Sequence, residues 1–261
     1  MPVLHAIILG CIQGFTEVLP ISSSAHLFIF PWLFKWHYQG LSFDVALHMG
    51  TALAFIIYFF KDWLEIISSA FKKGKDRSNL FFYIAAGTIP AAFAGLLLEK
   101  KAEIVFRSPL LIAGMLAAFA VILWLADNFG RKEKPIEQVG LKSAIQIGIA
   151  QAIAIIPGVS RSGITMTAGL FIGFSRQAAA RFSFLLATPV IVAAGVLKLS
   201  RLHSTDLTMS FWVGILFSTL SGFVGLYFLL GFIKKYSLNI FVYYRIVLAA
   251  VILAMHYLYL P

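Results

Sequence analysis

Residues Gln13–His26, QGFTEVLPISSSAH, set a carboxylate, a run of serines, a histidine and a helix-breaking proline between two apolar runs. Residues Gln151–Thr165, QAIAIIPGVSRSGIT, read as an echo of that stretch. Sliding the chain so that Gln13 falls on Gln151 also brings Gly10 onto Gly148, Ser22 onto Ser160 and Ser24 onto Ser162. The prolines Pro20 and Pro157 fall one position out of step. Two polar, broken helices inside an oily chain decide the fold class.

The oiliness is plain in the composition of the 261 residues. The hydrophobic share is 60%, and charged residues make up 12%, against about 25% in a soluble globular domain. Long apolar runs recur, so the chain is a polytopic membrane protein. The N-terminal stretch MPVLHAIILG has neither a basic leader nor a small-residue cleavage site, and we read it as mature structure. A net charge of +10 would suggest nucleic acid for a soluble protein. Here the Lys and Arg residues fall between apolar segments, where they set orientation and meet lipid head groups, so nucleic acid is not an expected partner. The single cysteine, Cys11, excludes an intrachain disulfide and a Cys-based metal cluster.

At about 1.5 Å per residue, neither Met1–Leu19 nor His26–Phe34 comfortably crosses a hydrocarbon core of about 30 Å. Pro20 interrupts the first, Ser22–Ser24 can cap the second, and Pro31, Trp32, Trp36 and Tyr38 mark its exit. The economical reading is a re-entrant hairpin. Three spans follow, near Ser42–Phe60, Asn79–Leu98 and Ser108–Ala126, and then a polar hinge, DNFGRKEKPIEQ. The pattern then repeats: Ala144–Ile156, a break at Pro157-Gly158, Ile164–Ile172, and spans near Ala180–Leu199, Phe211–Ile233 and Ile240–Leu260. TIPAAFAG at Thr88 resembles TLSGFVG at Thr219. The predicted fold is all-α, with six transmembrane helices and two re-entrant hairpins in a single membrane domain of residues 1–261. Residues 1–127 form one repeat and 140–261 the other. An odd number of spans in each unit inserts the second copy upside down.

Charge counting predicts the orientation. One face collects Lys61, Lys72, Lys73, Lys75, Arg77, Arg131, Lys132, Lys134, Lys142, Arg176, Arg181, Lys234, Lys235 and Arg245. The other has only Lys35, Lys100, Lys101, Arg107, Lys198 and Arg201. The richer face is predicted to be cytoplasmic, with both termini outside. Arg161 belongs to neither face.

Irregular backbone at membrane depth is tolerated only inside protein or around a watery cavity, so the two tips should line one. A helix N-terminus offers free N–H donors to an anion. Arg161 adds a planar fork for a phosphate, and Gly158 and Gly163 allow close approach. The first tip carries what the second lacks: Glu17 stands opposite Ile155, His26 opposite Ile164, and Ser23 opposite Arg161. Glu17 can hold a divalent cation or accept a proton, His26 can act as general acid or base, and Ser23 can be a nucleophile activated by His26. Blander roles stand beside these: Ser22 and Ser24 as simple caps, Glu17 and Arg161 as a structural ion pair, His26 as a packing residue. A charge near the bilayer centre costs at least about 2.5–3.5 kcal/mol, which argues for a use. Asp44 and His48 lie one turn apart and read equally as helix packing or as support for the site.

QGFTEVLPISSSAH and PGVSRSGIT, with GFSRQAAARFSFLLATP after them, resemble the bacitracin-resistance type of undecaprenyl-diphosphate phosphatases over essentially the whole chain. That family's first motif falls on Gln13 and Glu17, and its second on Pro157, Gly158, Ser160, Arg161, Ser162 and Thr165. The resemblance implies hydrolysis of a C55 isoprenyl diphosphate to the monophosphate carrier of peptidoglycan synthesis. It also implies a divalent cation, Mg²⁺ or Ca²⁺, with Glu17 as its ligand, and a site open to the outer face of the bacterial cytoplasmic membrane. By the same carry-over Glu17, Ser23, His26 and Arg161 are the catalytic positions; the other polar residues of the two tips, Gln13, Ser22, Ser24, Ser160, Ser162 and Thr165, are expected to bind substrate. Gln13 stands where glutamate is commoner, which argues against a two-carboxylate metal site, and Ala25 stands where glycine is usual. In the implied mechanism Ser23 or water attacks the terminal phosphorus while His26 handles the proton. The expected partners are the lipid substrate and membrane lipids, and a homodimer is compatible with the reading.

The rival class is a secondary transporter or lipid-phosphate flippase. Inverted repeats with broken helices meeting at the midplane are its usual signature, and repeats and composition alone would rank it first.

Overall fold

The computed structural model describes residues 1–37, 40–71, 78–104, 108–199 and 207–259. Tyr38, Lys72, Lys73, Lys75, Arg77, Arg107 and Arg201, which entered the exit and orientation arguments, lie outside the described residues, as do the side chains of Lys100 and Lys101. Helices form everything substantial: α1 (Val3–Val18), α2 (Ser23–Leu33), α3 (Leu41–Tyr58), α4 (Phe60–Ala70), α5 (Ser78–Ile104), α6 (Pro109–Phe129), α7 (Leu141–Ile153), α8 (Arg161–Ile172), α9 (Arg176–Leu199), α10 (Met209–Phe232) and α11 (Asn239–Tyr259). A short 3₁₀ turn, Ile136–Gln138, lies between α6 and α7. The extended pairing among the described residues is one isolated bridge, Lys134 to Phe174.

Five helices, α5, α6, α9, α10 and α11, are long and apolar enough to cross a bilayer, and α3 with α4 makes a sixth span if the bent pair is counted as one. The chain is an all-α, multi-pass membrane protein. The bend between α3 and α4 is 75°, and α4 occupies part of what the sequence reads as a loop. Hydropathy averaging misses α4 because its apolar positions form a stripe: Phe60, Leu64, Ile67 and Phe71 are exposed on one side and Ile66 is buried on the other. Pro31 does not end α2. It stands in the last turn, and the helix runs on to Leu33.

Helices pack through small residues, as expected where lipid gives no hydrophobic drive between them. α1 lies along α10, α7 along α5, α3 against both α10 and α9, and α6 against α11. At the first contact a Cβ on Gly14 would come 1.9 Å from Ser221 Oγ and 2.5 Å from Gly222 N. At the second, a Cβ on Gly148 would come 2.1 Å from the Gly87 carbonyl oxygen. The stretch expected to act as a polar hinge is tied down instead. Asp127, 1% exposed, accepts from Arg176 Nε at 2.5 Å, from Arg176 Nη2 at 3.1 Å and from the Leu238 amide at 2.8 Å. It thereby joins the end of α6 to the starts of α9 and α11.

Candidate active site

Each break between short helices is left through a serine in left-handed backbone, Ser22 at φ 75° and Ser160 at φ 72°. Such backbone costs about 1–3 kcal/mol for a non-glycine residue and persists where the surroundings over-determine it. The surroundings here are the other break. The Gly158 amide donates to Ser22 Oγ at 3.2 Å, and Ser162 Oγ donates to the Leu19 carbonyl at 3.2 Å. Gly158 needs its missing side chain: φ is 94°, and a Cβ would stand 2.6 Å from the Ile112 carbonyl oxygen.

Across that junction Arg161, the first residue of α8, meets Glu17 in the last turn of α1, with Nη2 paired to Oε1. The other carboxylate oxygen, Oε2, accepts from Gln13 Nε2 at 2.9 Å and from Ser23 Oγ at 2.6 Å. It also faces His48 Nε2 at 3.2 Å. The other ring nitrogen of His48 lies 2.7 Å from the Asp44 carbonyl oxygen, so both nitrogens face acceptors and the ring donates to both only as an imidazolium. Glu17 is 5% exposed. A carboxylate buried this deeply is stable as an ion only with charged and hydrogen-bonding partners, and it has them.

The cluster therefore holds Gln13, Glu17, Ser23 and Arg161, and adds His48, which the sequence reads as packing or support. His26 turns elsewhere. Its Nδ1 lies 2.7 Å from the Ser22 carbonyl oxygen and its Nε2 lies 2.6 Å from the Tyr244 hydroxyl, with the two rings stacked. A carbonyl only accepts, so the neutral ring carries its proton on Nδ1 and takes the Tyr244 O–H at Nε2. The expected activation of Ser23 by His26 is not the arrangement observed: both ring nitrogens are engaged, and the Ser23 hydroxyl points across the break to Glu17. The serines divide. Ser160 Oγ caps α8 by accepting from the Gly163 amide at 3.1 Å, whereas Ser22 joins the two turns and lies 3.2 Å from Ser24 Oγ. Thr165, fully buried, lies 2.6 Å from Ser183 Oγ of α9 and stands outside the cluster.

Two residues of α11 escaped the sequence reading. Tyr244 meets His26, and Arg245, counted above among the charges of the cytoplasmic face, is fully buried. A signal for Arg245 was present: it interrupts NIFVYYRIVLAAVIL, an apolar run as unsuited to an arginine as the one around Arg161.

Beside the cluster lies a mainly apolar cavity of about 420 Å³, lined by His48 and Arg161 together with Ala91 and Gly95 of α5, Ile155, and Val190 and Ile191 of α9. Arg161, Lys198 and His48 on the wall of an oily cavity suit a ligand with an anionic head and an apolar tail.

Fold and site together define a multi-pass membrane protein with a buried ionic cluster where two broken helices meet. Comparison with known proteins narrows this. The family described as Bacitracin resistance protein BacA matches residues 6–251, and the chain belongs to that family. It is 49% identical over 259 residues to an undecaprenyl-diphosphatase of Moorella thermoacetica, covering 99% of each chain. It is 48% identical to one of Pelotomaculum thermopropionicum, covering 97% of each, and 47% identical to one of Geobacter sulfurreducens, covering 97% of this chain and 98% of the other.

Proposed function

We propose that this chain hydrolyses undecaprenyl diphosphate to undecaprenyl phosphate and inorganic phosphate, recycling a lipid carrier of bacterial cell-wall synthesis. The observation that carries the proposal is the Glu17–Arg161 pair, joined across two broken helices at the edge of an apolar cavity. The names of the relatives supply the substrate.

Arg161 is neutralised by Glu17 until a diphosphate arrives with its own negative charge and competes for the guanidinium fork. His48, on the cavity wall, offers a second donor to the phosphate oxygens. Ser23 Oγ attacks the terminal phosphorus and its proton passes to Glu17 Oε2, which already accepts that O–H at 2.6 Å. The bond from phosphorus to the bridging oxygen breaks, and the lipid monophosphate leaves. Water then attacks the phosphoserine, Glu17 returns its proton to the departing Ser23 oxygen, and inorganic phosphate is released. The proton of the attacking water passes to a phosphate oxygen and leaves with inorganic phosphate, while His26, held between the Ser22 carbonyl and Tyr244, fixes the first turn of α2 beside Ser23. Gln13 holds the Glu17 carboxylate, and the starts of α2 and α8 present their amides, through Ser22, Ser24, Ser160 and Ser162, to the phosphates.

A divalent cation, Mg²⁺ or Ca²⁺, belongs to the proposal. Among the described residues no group of three or more His, Cys, Asp and Glu is assembled to cage a metal. Glu17 and Gln13 Oε1, the latter buried and without a hydrogen-bond partner, are two hard oxygens one turn apart. They fit an ion shared with the substrate, because Mg²⁺ commonly takes one or two carboxylates and completes its shell with phosphate oxygens and water. When bound it offsets charge on the diphosphate.

The two halves, 1–127 and 140–261, are inverted copies in this reading. In support, the pairing of α1 with α10 is matched by that of α7 with α5, and α3 with α9 and α6 with α11 are pairs of equivalent helices. The proposed location is the bacterial inner membrane with the site open to the outer face; the charge count supports the orientation that places both termini outside.

The test is phosphate release from undecaprenyl diphosphate by the purified full-length chain with Mg²⁺ or Ca²⁺, and its loss in EDTA. No release, together with ion-coupled uptake in vesicles, would replace the phosphatase by the transporter reading that paired broken helices also favour.

A further inference from the structure

Among the described residues Arg245 is the largest fully buried side chain, and its hydrogen bonds go to main-chain carbonyls. Nε donates to Leu116 O at 3.2 Å, Nη1 to Pro20 O at 3.2 Å, and Nη2 to Gly158 O at 3.0 Å and Val159 O at 3.1 Å. Pro20 lies in the first break, and Gly158 and Val159 in the second. Breaking a helix orphans its carbonyls, and inside a membrane no solvent replaces the lost partners. One guanidinium, with donors fixed in a plane, answers carbonyls of both breaks at once. Four of its five N–H donors serve these carbonyls, so the guanidinium is committed to the main chain. The neighbouring sequence accommodates it: a Cβ on Gly163 would come 3.0 Å from Arg245 Nη1.

We propose that Arg245 is a positioning residue for the phosphatase site, the clamp that sets the spacing of the two turns so that Arg161 of one meets Glu17 and Ser23 of the other. It acts without touching substrate, and its catalytic part rests on the function proposed above. A lysine keeps the charge but has no planar fork, and it cannot span the four carbonyls.

The test compares the wild type with Arg245→Lys, both as full-length protein in detergent, by steady-state phosphate release and by hydrogen exchange of peptides covering residues 18–24 and 156–162. The expected result is a kcat lower by about tenfold or more with KM within about threefold, together with faster exchange in both turns at once. Should Arg245→Lys fail to fold, Arg245→Gln, which keeps a planar donor group of shorter reach, is expected to give the same split of kcat from KM. A folded variant whose kcat stays within about twofold of wild type, or whose exchange rises around α11 alone, overturns the clamp. If the wild type releases no phosphate but both turns loosen in the variant, the functional reading fails and the clamp stands.

Discussion

At Glu17 one carboxylate receives Arg161, His48, Gln13 and Ser23, so each partner can be removed separately and its loss read as a rate or as stability. Glu17→Gln leaves Arg161, partly buried on the cavity wall, without its counter-ion. Breaking a fully buried pair costs about 3–5 kcal/mol and a cavity-facing one less, so this variant should unfold at a lower temperature as well as lose phosphate release. Arg161→Lys keeps a charge but loses the fork that grips the phosphate, and should lower kcat by about 10²-fold, measured by phosphate release under saturating substrate. Ser23→Ala separates the two steps of the proposed reaction. With Ser23 as nucleophile it should abolish turnover and the acid-stable phosphoserine trapped by rapid quench of the wild type; turnover near wild type would transfer the attack to water. The Glu17 and Arg161 contact was legible in the sequence as a pair of intramembrane charges on facing repeats. His48 was half legible, one turn from Asp44. Its reach to Glu17 depends on α3 lying beside α1, a contact between segments whose order along the chain says nothing of their distance.

Helix contacts carry the next set of expectations. The α1 to α10 and α7 to α5 pairs are as close as their glycines allow, so bulk at those points must move backbone. Gly14→Ala and Gly148→Ala should each cost about 1–3 kcal/mol, seen as a lower thermal midpoint in detergent. Gly95→Ala is the control, with nothing within 4 Å of its added Cβ, and should leave the midpoint unchanged. The breaks at Pro20 and Pro157-Gly158 were readable because proline and glycine act on their immediate neighbours. The helix α4 was not, since a short surface helix with one apolar stripe averages to the hydropathy of a loop. The tie between Asp127, Arg176 and Leu238 escaped for another reason: charges beside a span look alike to a charge count whether they face water or each other.

For the molecule as a whole, the charge asymmetry predicts both termini outside. On a Cys11→Ser background, cysteines at Pro2 and Tyr257 should react with a membrane-impermeant thiol reagent on intact cells. Cysteines at Glu133 and Lys235 should react only after permeabilisation. Labelling of all four from outside would refute the inverted arrangement. Moving Arg245 from the surface count to the buried core leaves the asymmetry intact, because the cytoplasmic group remains much the larger without it.

Hydropathy, proline, capping serines and charge spacing are properties of a few neighbouring residues, and they determined the membrane class, the spans, the two breaks and the identity of Glu17, Ser23 and Arg161 as polar groups needing a use. Only the tertiary structure decided which polar group meets which. Ser23 turns to Glu17 and not to His26, His26 turns to Tyr244, and Arg245 leaves the surface to hold the turns of both halves. The physical reason is that a polar atom buried in a bilayer must find a partner wherever packing brings one. That partner is set by how helices far apart in the chain lie against each other.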